Sequence, residues 1–216
     1  MMLKEGRQGT ALRRWEAALL AGVAVAALSG TVVREEQNHL ADKIVRLHVI
    51  ANSDGDADQA LKLKVRDKVL EVSEDLIPAG SSQEEAMDIL SAHLEELATA
   101  GAGVVGMEGY TYPVTASLEE DVWFPTKTYT DFALPAGNYT ALRLTIGEGA
   151  GQNWWCVVFP PLCMGSVTEA VAESAPEDCF TDTEVSLITG EDEGYVVKFK
   201  TMELLSELEH WASGWV

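Results

Sequence analysis

Positive charge is scarce in this 216-residue chain: 15 Lys and Arg stand against 35 Asp and Glu, a net charge of −20. That balance excludes a nucleic-acid binder, which must neutralise phosphates with clustered cations. It also opposes adsorption on an anionic membrane surface. Cysteine is sparse. Cys156, Cys163 and Cys179 are an odd set, so at most one bridge forms within the chain. In an oxidising compartment Cys156 and Cys163 are the plausible pair, because Pro160 and Pro161 between them can turn the chain back. Two buried thiols are the alternative, since spacing does not guarantee bridge geometry. The four histidines, His39, His48, His93 and His210, are scattered and form no H-x-x-x-H pair, so no metal site is expected. No internal repeat, no G-x-S-x-G nucleophile elbow and no long linker after residue 34 is present.

One long uncharged apolar run is present. Ala17 to Val33 carries no charge, and Lys4, Arg7, Arg13 and Arg14 precede it. A basic flank followed by such a run reads as an export signal, either cleaved or kept as a membrane anchor. Positive charges on the amino-terminal side favour that end staying inside, which places the rest of the chain outside the cytoplasm. A buried N-terminal helix is the alternative, but it would show a 3.6-residue stripe. Removing the four basic and two acidic residues of the first 33 leaves 11 Lys and Arg against 33 Asp and Glu, a net charge of −22 on the exported part. With 47% apolar residues overall, a packed core is affordable, and a disordered tail is excluded.

Residues 34–43 are polar and read as a helical stalk. Ile44 to Ala51, I-V-R-L-H-V-I-A, is β-branched and apolar enough for a buried strand. Asn52 to Asp56 is a turn and cap cluster, with Ser53 placed where a helix cap is expected. A helix from about Asp56 to Ile77 follows, with Leu61, Val65, Val69, Val72 and Leu76 on one face. A second helix begins at Ser81 or Ser82, where Ser82 and Glu85 fit a capping box, and Gly101 reads as its stop. Tyr110, Tyr112, Val114, Ala116 and Leu118 then alternate with polar partners as in a half-buried strand, which Pro113 assigns to an edge. Leu142, Leu144 and Ile146 share a face of the next strand, and Trp154 to Phe159 forms another. Beyond it come an acidic segment at 165–183, a hairpin joining 185–188 to 195–199, and a last helix burying Leu204, Leu205, Leu208 and Trp211. The expected fold is mixed α+β: one compact domain over 34–216, with a mixed or antiparallel sheet packed by about three helices, after the export or anchor segment at 1–33.

Each constellation that might carry chemistry has a plainer reading beside it. Gly147, Gly149 and Gly151 spell G-x-G-x-G after a strand, but a strand rather than a helix follows. No helix N-terminus is offered to a phosphate, so a hairpin loop is expected and no cofactor. His48, Ser53 and Asp54 invite a Ser–His–Asp story, yet capping explains Ser53 better and a core role explains His48 better. The acidic run Glu119–Asp121 reads as a solvated face. Lys62, Lys64, Arg66 and Lys68 concentrate four of the exported part's 11 basic residues within seven positions. Composition favours lysines that flank an apolar face and pair with Asp58, Asp67 or Glu71, and the sharper alternative is a docking site for an acidic partner. Trp154 and Trp155 must point to opposite faces of their strand, so one fills the core and the other is covered or available for binding.

Two stretches resemble a known family. They are I-V-R-L-H-V-I-A-N-S-D with D-Q-A-L-K-L-K-V-R-D at Asp58–Asp67, and N-Y-T-A-L-R-L-T-I-G-E-G-A-G-Q-N-W-W-C-V-V-F-P-P-L-C at Asn138–Cys163. With the export segment, they resemble the stage II sporulation protein R family over most of residues 40–163. The resemblance implies an exported forespore signal of endospore-forming bacteria, acting in the space between forespore and mother cell. There it activates a membrane-embedded aspartic protease, stage II sporulation protein GA, which processes pro-sigma-E in the mother cell. It implies no enzymatic activity of the signal and no small-molecule substrate. His48, Asn52, Asp54, Lys62, Lys64, Arg66, Asn153, Trp154 and Trp155 are the candidate partner-binding residues, chosen for polar or aromatic character inside apolar motifs. A cell-wall-directed hydrolase or binding module in the same compartment is the competing expectation, and a purely structural anchor between membranes is a third.

Overall fold

The computed structural model describes residues 39–129 and 132–162, together with Gly22 alone. Apart from Gly22, the export segment lies outside the described residues, as do the acidic segment, hairpin and last helix expected after residue 164, and Cys163 and Cys179. In order, the elements are β1 (Val45–Ile50), α1 (Asp56–Leu76), α2 (Gln83–Ala92), α3 (Leu94–Met107), β2 (Val114–Phe124), β3 (Lys127–Thr128), β4 (Ala133–Leu134), β5 (Gly137–Ile146) and β6 (Asn153–Phe159). Among the described residues no helix is long and apolar enough to cross a membrane.

The fold is mixed α/β, built on a four-stranded sheet in the order β2–β5–β1–β6. β1 runs parallel to β5, while β6 pairs antiparallel with β1 and β2 antiparallel with β5. Alternation divides each strand between two faces. Val45, Leu47 and Val49 of β1, Leu142, Leu144 and Ile146 of β5, and Val158 of β6 join Leu61, Val65 and Val69 of α1, Leu90 of α2 and Leu97 of α3 in one core. The opposite face, here the outer face, carries Arg46 and His48 of β1 with Tyr139, Ala141 and Arg143 of β5. The β3–β4 ribbon, two residue pairs long, brings Tyr129 over this face, where its hydroxyl donates to the Trp155 carbonyl at 3.1 Å. β1 is therefore buried on both sides, and its run of apolar residues reflects that position.

β2 lies at the sheet edge, where Pro113 had assigned it, but it begins at Val114. Tyr110 and Tyr112 precede the strand and stack on each other at 5.3 Å. A bulge between Glu119 and Val122, with Asp121 at φ 56°, adds one residue to β2 and reverses its alternation. Val114, Ala116 and Leu118 pack on the helix side, whereas Val122 and Phe124 belong to the outer cluster around Tyr139.

Three other expectations change. The capping box on Ser82 and Glu85 is present. The helix it starts ends at His93, whose backbone is non-helical, and α3 then continues through Gly101. Gly101 is a packing residue, because a Cβ there would lie 3.1 Å from Val114 Cγ1 and 3.2 Å from Val65 Cγ1. The true stop is Gly109 at φ 83°, where Tyr110 N–H donates to the Val105 carbonyl and Gly109 N–H to the Gly106 carbonyl. At the start of α1 the N-cap is Gly55, with no side-chain cap bond, so Ser53 does not cap the helix. The Gly147–Gly151 segment is not a hairpin, since β1 lies between β5 and β6; it crosses over the carboxyl end of β1. Backbone bonds stitch it there, from Gly151 N–H to the Ala51 carbonyl at 2.9 Å and from Ala150 N–H to the Asn52 carbonyl at 3.2 Å.

A Cβ on Gly151 would collide with the Ser53 backbone. Backbone cannot move aside as a flexible side chain can. Gly151→Ala is expected to destabilise the fold by about 1–3 kcal/mol, measured as a lower urea midpoint with an unchanged slope.

Candidate functional site

The chemistry-bearing residues gather in two places. At the carboxyl end of β1, Asp58 is 7% exposed and clamps the turn ahead of its own helix. Its Oδ2 accepts from Ser53 Oγ at 2.6 Å and Asn52 Nδ2 at 2.8 Å. These bonds, Ser53 first and Asn52 second, hold the carboxyl below its ordinary range against a smaller opposing effect of burial. Asn52 Oδ1 in turn accepts from Glu148 N–H at 3.0 Å, so one carboxylate organises both the turn and the crossover. Lys62 is 4% exposed; its Nζ donates to Gln59 Oε1 at 2.6 Å and to the Gln152 carbonyl at 2.9 Å. Burial lowers its pKa, opposed by the charge of Asp54.

On the outer face, Ser117, Arg143, His48 and Trp155 stand in one cross-strand row, in register on β2, β5, β1 and β6. Arg143 Nε donates to His48 Nδ1 at 3.4 Å. The imidazole proton therefore sits on Nε2 and is given to Asn153 Oδ1 at 2.9 Å. Arg143 also pairs with Glu119 at 3.0 Å, and Ser117 Oγ donates to the same carboxylate at 2.9 Å. Phe124 and Trp155 flank the imidazole at 6.1 and 6.3 Å between ring centres. Burial is the main cause that lowers the His48 pKa. Arg143 acts in the same direction, while Asn153 and Glu119 oppose it.

One residue pair row further along the strands, Arg46 is fully buried. Its Cζ lies 4.4 Å from the Phe124 ring centre and 4.9 Å from that of Tyr139. Nε donates to the Cys156 carbonyl at 3.0 Å and Nη2 to the Tyr129 hydroxyl at 3.2 Å. No role was expected of Arg46 or Arg143 from the sequence, and Glu119, expected on a solvated face, is engaged by Arg143 and Ser117 instead. The signal for Arg46 was present: a cation two residues from His48 inside an otherwise apolar strand must share a face with it.

The nine candidate residues do not make one surface. His48, Asn153 and Trp155 meet on the outer face. Trp154 turns to the helix side, where Arg66 Cζ stacks 4.4 Å from its ring centre. Asn52 and Lys62 are engaged at the loop cluster, next to exposed Asp54. Lys64 stands apart, paired with Glu108 of the α3 end at 2.6 Å. Arg66 pairs with Asp67 and Lys68 with Glu71, as the plainer reading expected, but Asp58 takes Asn52 and Ser53 in place of a cation. No Ser–His–Asp unit is assembled: Ser53 Oγ donates to Asp58, and both His48 nitrogens are held by Asn153 and Arg143. Among the described residues no group of His, Cys, Asp and Glu could hold a metal ion. Cys156 is disulfide-bonded, while Cys163 and Cys179 lie outside the described residues.

Because His48 is neutral and its pKa is lowered by folding, the unfolded chain takes up the proton first as pH falls. The stabilisation is present above the ordinary value of 6.5 and is lost as pH drops below it toward the folded value. Chemical denaturation across this range should show wild-type stability falling with acidification. His48→Asn should show a shallower dependence.

A family model described as Stage II sporulation protein R matches residues 41–169, which is more than half of the chain. Stage II sporulation protein R of Bacillus subtilis (strain 168) is 34% identical over 163 residues, covering 74% of this chain and 72% of that protein. No solved structure matches the chain. The match spans both the clamp on Asp58 and the row on His48, and the chain belongs to the stage II sporulation protein R family.

Proposed function

We propose that this chain is an exported forespore signal that switches on a membrane-embedded aspartic protease, stage II sporulation protein GA, from the space between forespore and mother cell. The protease then processes pro-sigma-E. Family membership supports the sporulation role. One structural observation carries the reading of a ligand rather than a hydrolase. Among the described residues, the Ser53, Asp58 and His48 side chains that could have formed a nucleophilic site are consumed in bonds that hold the fold, and they lie in two separate places. A general base must reach the proton it removes, and His48 donates to Asn153 instead of facing Ser53.

A ligand acts on such a protease by binding its active form more tightly than its inactive form. The candidate contact atoms are those left accessible. Asp54, Lys64 and Asn153 are exposed, and Arg66 with Trp154 forms a cation–aromatic pair at the β6 side of α1. Lys62 supports this surface from beneath by fixing the Gln152 carbonyl next to Asn153. The apolar segment at Ala17 to Val33 is the proposed route of export.

Co-expression of the full chain with the protease and the sigma E precursor in a non-sporulating host tests the reading. Precursor cleavage is expected only when this chain is present and exported. Absence of cleavage with all three proteins made, and this one exported, sinks it. Charge reversal at Lys64 removes one surface ion pair, worth about 0–1 kcal/mol. Lys64→Glu is therefore expected to melt close to wild type and to reduce cleavage, whereas Arg66→Glu also loses the stack on Trp154 and is expected to lower the melting point as well. Lys62→Glu is expected to lower the melting point itself, because it leaves an acid buried against the Gln152 carbonyl.

A further inference from the structure

β2 has a paired neighbour on one side only, because it stands at the end of the order β2–β5–β1–β6. The phase of its ladder shows which backbone groups face away from that neighbour. Gly147 N–H donates to the Pro113 carbonyl at 2.8 Å, one position ahead of the Val114–Ile146 pair. Bonded and non-bonded pairs alternate along an antiparallel ladder. Thr115, Ser117 and Glu119 therefore turn their N–H and C=O groups to β5. Those of Val114, Ala116 and Leu118 point outward, and among the described residues nothing bonds to them.

An open edge of this kind is a template for another strand, and proteins blunt it with charge, proline, bulges or a covering element. β2 has such devices only at the two ends of its regular stretch. Pro113 precedes it, and the bulge carrying Glu120 and Asp121 follows it. The window between, V-T-A-S-L at Val114–Leu118, has no charge, glycine or proline. It keeps an unbroken register with β5, and none of its residues is buried. Its length is that of an ordinary strand, about five residues.

Charge selects the occupant. Glu119 is answered by Arg143, whereas Glu120 and Asp121 are exposed and pair with no cation among the described residues. A second copy of this chain would bring a further net charge of −20 to the same edge. An extended segment with Lys or Arg at one end fits instead, through backbone bonds to the outward groups and cations beside the two free carboxylates.

We propose that the Val114–Leu118 edge of β2 takes an extended basic segment of the partner protein as an added strand. That the segment belongs to the protease rests on the function proposed above; the edge site does not. The edge lies across the sheet from the Arg66–Trp154 pair, so this is a second contact.

Amide hydrogen exchange, followed residue by residue by NMR in the purified full chain, tests the site. The probes are capped synthetic peptides of alternating Val and Thr with paired Lys at either end, and the same peptides with paired Glu are the controls. In the free protein, Val114, Ala116 and Leu118 are expected to exchange fast and Thr115, Ser117 and Glu119 slowly. A Lys peptide is expected to slow the first three roughly tenfold or more. No slowing by either Lys peptide overturns the proposal, and equal slowing by the Glu peptides overturns the basic assignment. A free chain that sediments as a dimer with these three amides already protected makes a second copy the occupant, and the proposal falls.

Ala116→Pro removes an outward N–H and leaves the ladder to β5 intact. It is expected to melt close to wild type, to lose the protection of Val114 and Leu118 by peptide, and to reduce precursor cleavage roughly tenfold in the co-expression assay. Unchanged cleavage overturns the assignment to the protease. If that variant does not fold, Glu120→Lys at an exposed position gives the comparison: it is expected to weaken the Lys peptides and strengthen the Glu peptides, and an unchanged preference overturns the proposal. If wild type triggers no cleavage while a Lys peptide still protects the edge, the signalling reading has failed and the edge site has not.

Discussion

The structure depends on one strand being buried on both faces. β1 lies between β5 and β6 and under α1, so neither side of Val45–Ile50 reaches water freely. A strand in that position must offer apolar side chains to the helices and something else to the far side. Here the far side receives Arg46 and His48, and most of the outer layer is arranged to hold them. Phe124, Tyr139 and Tyr129 converge on the guanidinium, and Arg143 and Asn153 take the two imidazole nitrogens. Polar groups placed in such a layer must be bonded or they destabilise it. The His48 row meets this condition across all four strands, and Arg46 meets it only in part.

The carboxyl end of the same strand is closed by a second device. Asp58 draws Asn52 and Ser53 onto the first turn of α1, and Asn52 reaches the crossover that covers the strand end. The crossover can lie so close because Gly151 has no side chain to meet Ser53. The residues that look most like an active site in the linear sequence, an Asn-Ser-Asp cluster near a histidine, are thus the joint between strand, helix and loop. Their polarity is spent on geometry, which agrees with membership of a family named for sporulation rather than for catalysis.

Much of this was legible in the sequence. The β-branched run at Ile44–Ala51, the apolar face of α1, the capping box on Ser82 and Glu85 and the edge position of β2 all followed from short-range pattern. These features depend on side-chain period and local hydrogen bonding, which neighbours in sequence largely determine. The misreadings share another cause. Gly101 resembles a helix stop until Val65 and Val114 are seen against it, and Gly147–Gly151 resembles a hairpin until β1 is inserted between the strands it joins.

By itself, then, the sequence determined the acidic charge, the mixed α/β class and the elements that period and capping specify. Only the tertiary structure decided which polar groups meet. The bulge at Glu119–Val122 is the clearest case: it turns Val122 and Phe124 from the helix side to the outer face and so sets an aromatic ring against Arg46. A run of Glu119, Glu120 and Asp121 reads as a solvated surface in one dimension. In three it makes one ion pair with Arg143 and reverses a strand, because pairing register, not composition, sets which face a side chain occupies.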